Sequence, residues 1–378
     1  MEQKPSRLIR LLADRRVRLG CYLLLLLPLL LRREITPDNE LKYLQIADEA
    51  LRDGHFWCLY LDGAVYADKP PLYLWIVMVL RKLLGFHCIP LLELFSLLPA
   101  FGVLAIFDHW CNGLSLRWRI AAEMALLTTA YFLGGALVLR MDMLMVFFIT
   151  LAMWLFWRID RGGGGWKLRA GFALAVFLAI FSKGPVGFLF PLLGTTAWLL
   201  SQKRLRDWGQ AWGWLTWLIL IVLCGIWWGC AYREGGRPYI DNLLVHQTLD
   251  RAVNAFHHQR PWYWYLYTVW YAMGPWALLT IPVSVRGLVR HEGDTPLVRF
   301  FLLVSSVFFV LMSCFSSKLQ IYLLPAFGFV NYAAFQMLQA ADDGVRRWPP
   351  VIRTVCFCVA GAMLAACVAA GFFFPDIF

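Results

Sequence analysis

Charge is what this 378-residue chain has least of: Asp, Glu, Lys and Arg together make up 16% of it, against 60% hydrophobic residues and a mean hydropathy of +0.61. That balance excludes a water-soluble globule, because a core of this length could not hide so much apolar surface, and it leaves a polytopic membrane protein. A glycine-rich phosphate loop is also missing. Gly162 to Gly165 is not followed by Lys-Ser or Lys-Thr and reads as a flexible linker. The ten cysteines show no paired pattern; most lie inside apolar stretches, including Cys356 and Cys358, and only Cys58 sits clearly in a long loop, so no structural disulfide is expected. No small-residue cleavage site follows the first apolar stretch. Arg32 and Arg33 come instead and read as snorkelling anchors, which argues against a cleaved signal peptide.

What is present is a series of apolar stretches, each near the ~20 residues that a bilayer core of ~30 Å requires of a helix. They fall at 19–31, 94–112, 120–139, 141–157, 168–182, 184–201, 211–231, 263–285, 297–315, 320–340 and 351–373. The expected fold is all-α and polytopic, with about eleven transmembrane helices. A basic cytoplasmic N-terminus (1–18) is followed by a transmembrane catalytic domain (19–340) with long outer loops at 32–93 and 232–262. A loop and last helix (341–378) close the chain, with no C-terminal soluble domain expected.

Orientation follows from the basic residues. With the N-terminus inside and residues 71–85 not crossing, the inner side collects 21 of the 35 Lys and Arg residues. Letting 71–85 cross would put the basic loops outside, so Leu72 to Leu84, with Arg81 and Lys82, reads as a helix lying along the outer interface. This topology sends Asp38, Glu40, Asp68, Lys69, Arg140, Asp142, Lys183, His246, Arg251 and Lys318 to outer helix ends or outer loops. Chemistry outside the cytoplasm argues against ATP or an aqueous nucleotide sugar as substrate.

The first outer segment opens a helix at Thr36-Pro37-Asp38-Asn39-Glu40, with a capping residue, an early proline and acids near the positive end of the dipole. Leu41, Leu44, Ala47 and Leu51 would form its apolar stripe and Gly54 its end. Asp38 and Glu40 either cap this helix or face a lipid headgroup. Next, Tyr66-Ala67-Asp68-Lys69-Pro70-Pro71-Leu72 holds a carboxylate and an ammonium on an extended turn, because each proline disfavours helix in the residue before it. Lys69 there suits a phosphate as a point charge or serves as an interfacial anchor.

Arg140-Met141-Asp142, Lys183-Gly184-Pro185 and Lys318 with Tyr322 add charges at outer helix ends. Singly each reads as a snorkelling anchor; together they form a positive ring around the acids. His246 reads as a metal ligand or, more ordinarily, a polar loop residue, and adjacent His257 and His258 are too close to bind one metal from a helix face.

In order along the chain, Asn39-Glu40-Leu41-Lys42-Tyr43, Tyr66 to Leu72, Arg140 to Asp142, Lys183-Gly184-Pro185, His246 with Arg251, and Lys318 with Tyr322 resemble the motifs of the GT-C fold glycosyltransferases of the ArnT-like and protein O-mannosyltransferase-like group, glycosyltransferase family 39. The resemblance runs to about residue 340. It implies an inverting enzyme of the bacterial inner membrane, working on the periplasmic side. A monosaccharide would pass from a polyprenyl-phosphate carrier to a lipid A-like glycolipid, another glycan or a protein, with no nucleic-acid partner.

Carried onto this chain, the resemblance implies catalytic roles for Asp38, Glu40 and Asp142. It implies lipid-phosphate binding by Tyr66, Lys69, Lys183, Arg251, Lys318 and Tyr322, and a divalent metal ion held by Asp68 and His246. One departure bears on the base: the family has Asp-Glu where this chain has Asn39-Glu40, so Asp38 or Glu40 must take the proton, because asparagine is no useful base. A transporter or flippase would place charges near the bilayer midplane and show internal repeats, and neither is seen here. A lipid-linked glycan polymerase or ligase would differ by its product, a long glycan in place of one added sugar.

Overall fold

The computed structural model describes residues 7–33, 35, 39–243 and 259–343, with isolated positions beyond. Among them the chain is helical apart from one hairpin. The first helices are α1 (Arg7–Ala13), α2 (Arg15–Arg32), α3 (Glu40–Asp53), α4 (Leu72–Leu84) and α5 (Ile89–Trp110). Then come α6 (Leu116–Leu127), α7 (Ala130–Leu137), α8 (Asp142–Asp160), α9 (Trp166–Lys183), α10 (Val186–Ser201), α11 (Trp208–Ala211) and α12 (Trp214–Asp241), which breaks at Gly236. The described part ends with α13 (Trp264–Ala272), α14 (Ala277–Arg290), α15 (Pro296–Cys314) and α16 (Leu324–Asp343). Two short antiparallel strands, Tyr60–Leu61 and Ala64–Val65, make the hairpin between α3 and α4.

Ten of the eleven expected apolar stretches are helical where hydropathy put them; of the eleventh, 351–373, only isolated positions are described. By length and composition, α5, α8, α12, α15 and the stretch Gln320–Asp342 can each cross a membrane. Two expected spans are bent. The 120–139 stretch turns by 67° between α6 and α7, and the 263–285 stretch folds back by 118° between α13 and α14. The first break falls at Thr128 and Thr129, whose hydroxyls donate to Met124 O (2.7 Å) and Ala125 O (2.8 Å) in competition with the helix ladder. The second falls at Gly274-Pro275, where proline cannot continue the ladder.

The outer segment forms its own layer. At 13 residues α4 is about 20 Å long, too short to cross, and it packs Tyr73, Leu74, Val77 and Met78 against α3. The buried face of α3 differs from the expected stripe: Tyr43, Leu44, Ile46, Ala47 and Ala50 are buried, while Leu41 is 53% exposed. The helix is rotated by about one position because Tyr43 and Ile46 fill the space against α4, Leu139 and Met141. Asn39 makes no side-chain cap, and Gly54 ends the helix at φ 77° as expected. Cys58 lies in the long loop as expected and is buried there, its thiol donating to Ala231 O on α12 (3.0 Å).

Candidate active site

Chain direction gathers the charged helix ends. The C-terminus of α2, the N-termini of α3, α5 and α8, and the C-terminus of α9 all meet at one end of the bundle. The opposite end holds a separate buried network, in which Arg18 donates to Asp108 (2.7 Å) and Glu123 (2.9 Å).

At the first end Asp142, the opening residue of α8, is fully buried. It accepts from Arg140 Nε (2.9 Å) and from the ammonium of Lys183, the last residue of α9. The adjacent Asp142 carboxylate keeps Arg140 firmly charged, raising its pKa against the opposing effect of burial. Lys183 lies 4.8 Å from the ring centroid of Tyr322. Gly184 (φ 104°) and Pro185 turn the chain at once into α10, which fixes where α9 ends and so where this ammonium sits.

A cavity of about 780 Å³ opens beside this cluster. Its mouth carries Asp68, Lys69, Lys183, Ser317 and Tyr322. Its shaft is apolar, lined by Ile180, Phe188, Trp217, Ile221, Trp227 and Trp228 among others, mainly from α9, α10 and α12. Cationic groups at one end of a long apolar slot suit a molecule with an anionic head and a hydrocarbon tail.

The expected site residues divide into groups. Lys183 touches both Asp142 and Tyr322, and Asp68 and Lys69 line the same cavity as Lys183 and Tyr322. Glu40 is close but engaged. Its carboxylate accepts from both terminal nitrogens of Arg33 and from the backbone N–H of Leu139 (2.6 Å), at zero exposure. Tyr66 does not line the cavity; its ring is buried beneath Lys42, whose Nζ is 4.6 Å from the centroid. Lys318 points away as well, donating to Arg260 O (3.1 Å) and Phe315 O, and burial lowers its pKa. Tyr43, from the same motif as Glu40, is buried with its pKa pushed up to about 12, and its hydroxyl lies 3.7 Å from Met141 Sδ. Asp38, His246 and Arg251 lie outside the described residues.

Among the described residues no group of three or more His, Cys, Asp and Glu side chains converges on one point. Asp68 lines the cavity with two lysines, and His246, expected with it to hold a divalent ion, lies outside the described residues.

Arg33 and Glu93 were not foreseen. Arg33, expected to snorkel, has a side chain 5% exposed and bridges Glu40 and Glu93 (2.9 Å). The available signal was Glu93 itself, a carboxylate at the start of an apolar stretch, where an unpaired charge is costly.

No protein-family model matches the chain. It is 26% identical over 314 residues to an undecaprenyl phosphate-alpha-4-amino-4-deoxy-L-arabinose arabinosyl transferase of Shewanella sediminis, covering 80% of this chain and 55% of that protein. It is 27% identical over 321 residues to a protein of the same description from Pseudomonas fluorescens, covering 79% and 53%. The chain thus spans about half the length of these relatives. Among solved structures it is similar to ArnT from Cupriavidus metallidurans bound to undecaprenyl phosphate, with a TM-score of 0.75, 19% identity, and coverage of 92% of this chain and 62% of that one. The apo crystal structure of the same protein matches with a TM-score of 0.73. Its apolar helices and this likeness make the chain an integral membrane protein, predominantly helical and polytopic, with the GT-C fold of ArnT.

Proposed function

We propose that this chain carries the transfer site of an inverting glycosyltransferase that moves a monosaccharide from a polyprenyl-phosphate carrier to an acceptor, on the periplasmic side of a bacterial inner membrane. The cavity carries this reading. Lys69 and Lys183 at its mouth match a phosphate, and its apolar shaft matches the first isoprene units of the carrier. The basic residues of the inner loops support the side, and the relatives' names support the carrier. Undecaprenyl phosphate-aminoarabinose is the first donor to assay, and a lipid A-like glycolipid the first acceptor.

In the reaction an acceptor hydroxyl or amine attacks the anomeric carbon from the face opposite the phosphate. The bond between that carbon and the phosphate oxygen breaks, its electron pair leaves with the polyprenyl phosphate, and the acceptor's proton passes to a carboxylate. Lys69 and Lys183 stabilise the negative charge that gathers on the leaving phosphate. Asp142 holds Lys183 in place and is itself saturated by Arg140 and Lys183. With both Glu40 oxygens engaged as well, we assign the base to Asp38.

Binding tests this directly, because Trp217, Trp227 and Trp228 line the cavity and report on its occupant by fluorescence. Titration of the purified protein with undecaprenyl phosphate is expected to give a saturable change that Lys69→Ala weakens about tenfold. Equal affinity for undecaprenol, which has no phosphate, would contradict the reading.

A further inference from the structure

The transfer chemistry leaves three buried charges unused: Arg33, Glu40 and Glu93, with side chains 5%, 0% and 1% exposed. Two carboxylates share one guanidinium, and Glu93 Oε2 has no hydrogen-bond partner among the described residues. Such a cluster is expensive in an apolar setting, where even an intact buried ion pair is a weak source of stability. Its connections point to a use.

Arg33 ends α2, Glu40 begins α3, and Glu93 lies in the first turns of α5. Glu40 takes the N–H of Leu139. One helical turn beyond Glu93, on the same face of α5, Ser96 donates to Arg140 O (3.0 Å) and accepts from Arg140 N (3.3 Å). The corner between α7 and α8 is therefore gripped at two consecutive residues. From there Arg140 holds Asp142, and Asp142 holds Lys183 at the cavity mouth. The six side chains alternate in sign from Glu93 through Arg33, Glu40, Arg140 and Asp142 to Lys183. The surplus negative charge of the first three offsets the surplus positive charge of the last three.

We propose that Arg33, Glu40 and Glu93 form a positioning unit that sets the 139–142 corner and, through it, aims the Lys183 ammonium at the anionic head of whatever occupies the cavity. None of the three touches that occupant; each acts through the corner. The effect on turnover rests on the transferase reading, whereas the effect on the corner does not.

Glu93 is the residue to vary, since Glu93→Leu leaves a charge-balanced Arg33–Glu40 pair and Glu93→Gln keeps an oxygen to accept from Arg33 Nε. Glu123→Gln, at the opposite end of the bundle, serves as the control for a merely structural loss. Two measurements on the full chain are compared: hydrogen–deuterium exchange of the peptide covering 138–142, and kcat and KM for donor consumption. Glu93→Leu is expected to speed exchange at the corner about tenfold and to lower kcat about tenfold with little change in KM. Glu93→Gln should restore both, and Glu123→Gln should lower the melting temperature without moving either. Unchanged exchange in Glu93→Leu, or faster exchange with undiminished kcat, would overturn the proposal. Should the wild-type chain consume no donor, the transferase reading falls, and the exchange measurement alone decides on the positioning unit.

Discussion

Two carboxylates within three positions of each other, Asp38 and Glu40, compete for the role of base, and the surroundings of Glu40 separate them. A general base needs a lone pair free to meet the acceptor's proton. Glu40 gives its oxygens to Arg33 and Leu139 in a site closed to solvent. Asp38→Asn is expected to lower kcat about 10²-fold or more. Glu40→Gln, whose amide oxygen still accepts from Leu139 N–H, should lower the melting temperature and cost at least tenfold less in kcat. Donor-consumption kinetics on both variants decide the point; a larger loss in Glu40→Gln would return the base to Glu40.

At this scale the sequence was legible where motifs are contiguous. Arg140 to Asp142 and Lys183-Gly184-Pro185 met as expected. Partnerships across long separations were not legible: Arg33 with Glu93 spans 60 residues and Glu40 with Leu139 spans 99. No local pattern distinguishes a snorkelling arginine from one turned inward. Tyr66 and Lys318 show the same limit, since their motif positions matched but their side chains turned to Lys42 and to loop carbonyls.

Among the elements, the hairpin of α9 and α10 does most to place the site. Gly187, one residue into α10, packs so closely on α9 that a Cβ there would collide with the backbone carbonyl of Ala179. Backbone cannot yield as a flexible side chain can, so the two helices would have to separate and carry Lys183 with them. Gly187→Ala is expected to destabilise the protein by about 1–3 kcal/mol. It should also weaken binding of undecaprenyl phosphate, measured by melting temperature and tryptophan fluorescence. A variant with wild-type values for both would show that the close approach is immaterial. Helix extents were readable from hydropathy because the bilayer dictates their length. The rotation of α3 and the two bent pairs were not, since packing against neighbours and local hydrogen bonds at Thr128 and Thr129 decide them.

Over the whole molecule, the count of basic residues correctly gathered Glu40, Arg140, Asp142 and Lys183 at one end of the bundle, and Arg18 and Arg119 at the other. The cavity could not be read in advance, because its walls come from the loop before α4, five helices and the segment before α16. Its lining, two lysines beside a mostly apolar wall, is what the proposed reading assigns to a single lipid-phosphate occupant. The most direct measurement incubates purified protein with polyprenyl-phosphate monosaccharides and candidate acceptors, and follows loss of the lipid-linked sugar. The account expects donor consumption that falls at least about 10²-fold in folded Lys69→Ala. Full activity in a protein combining Lys69→Ala, Asp38→Asn and Glu40→Gln would contradict it.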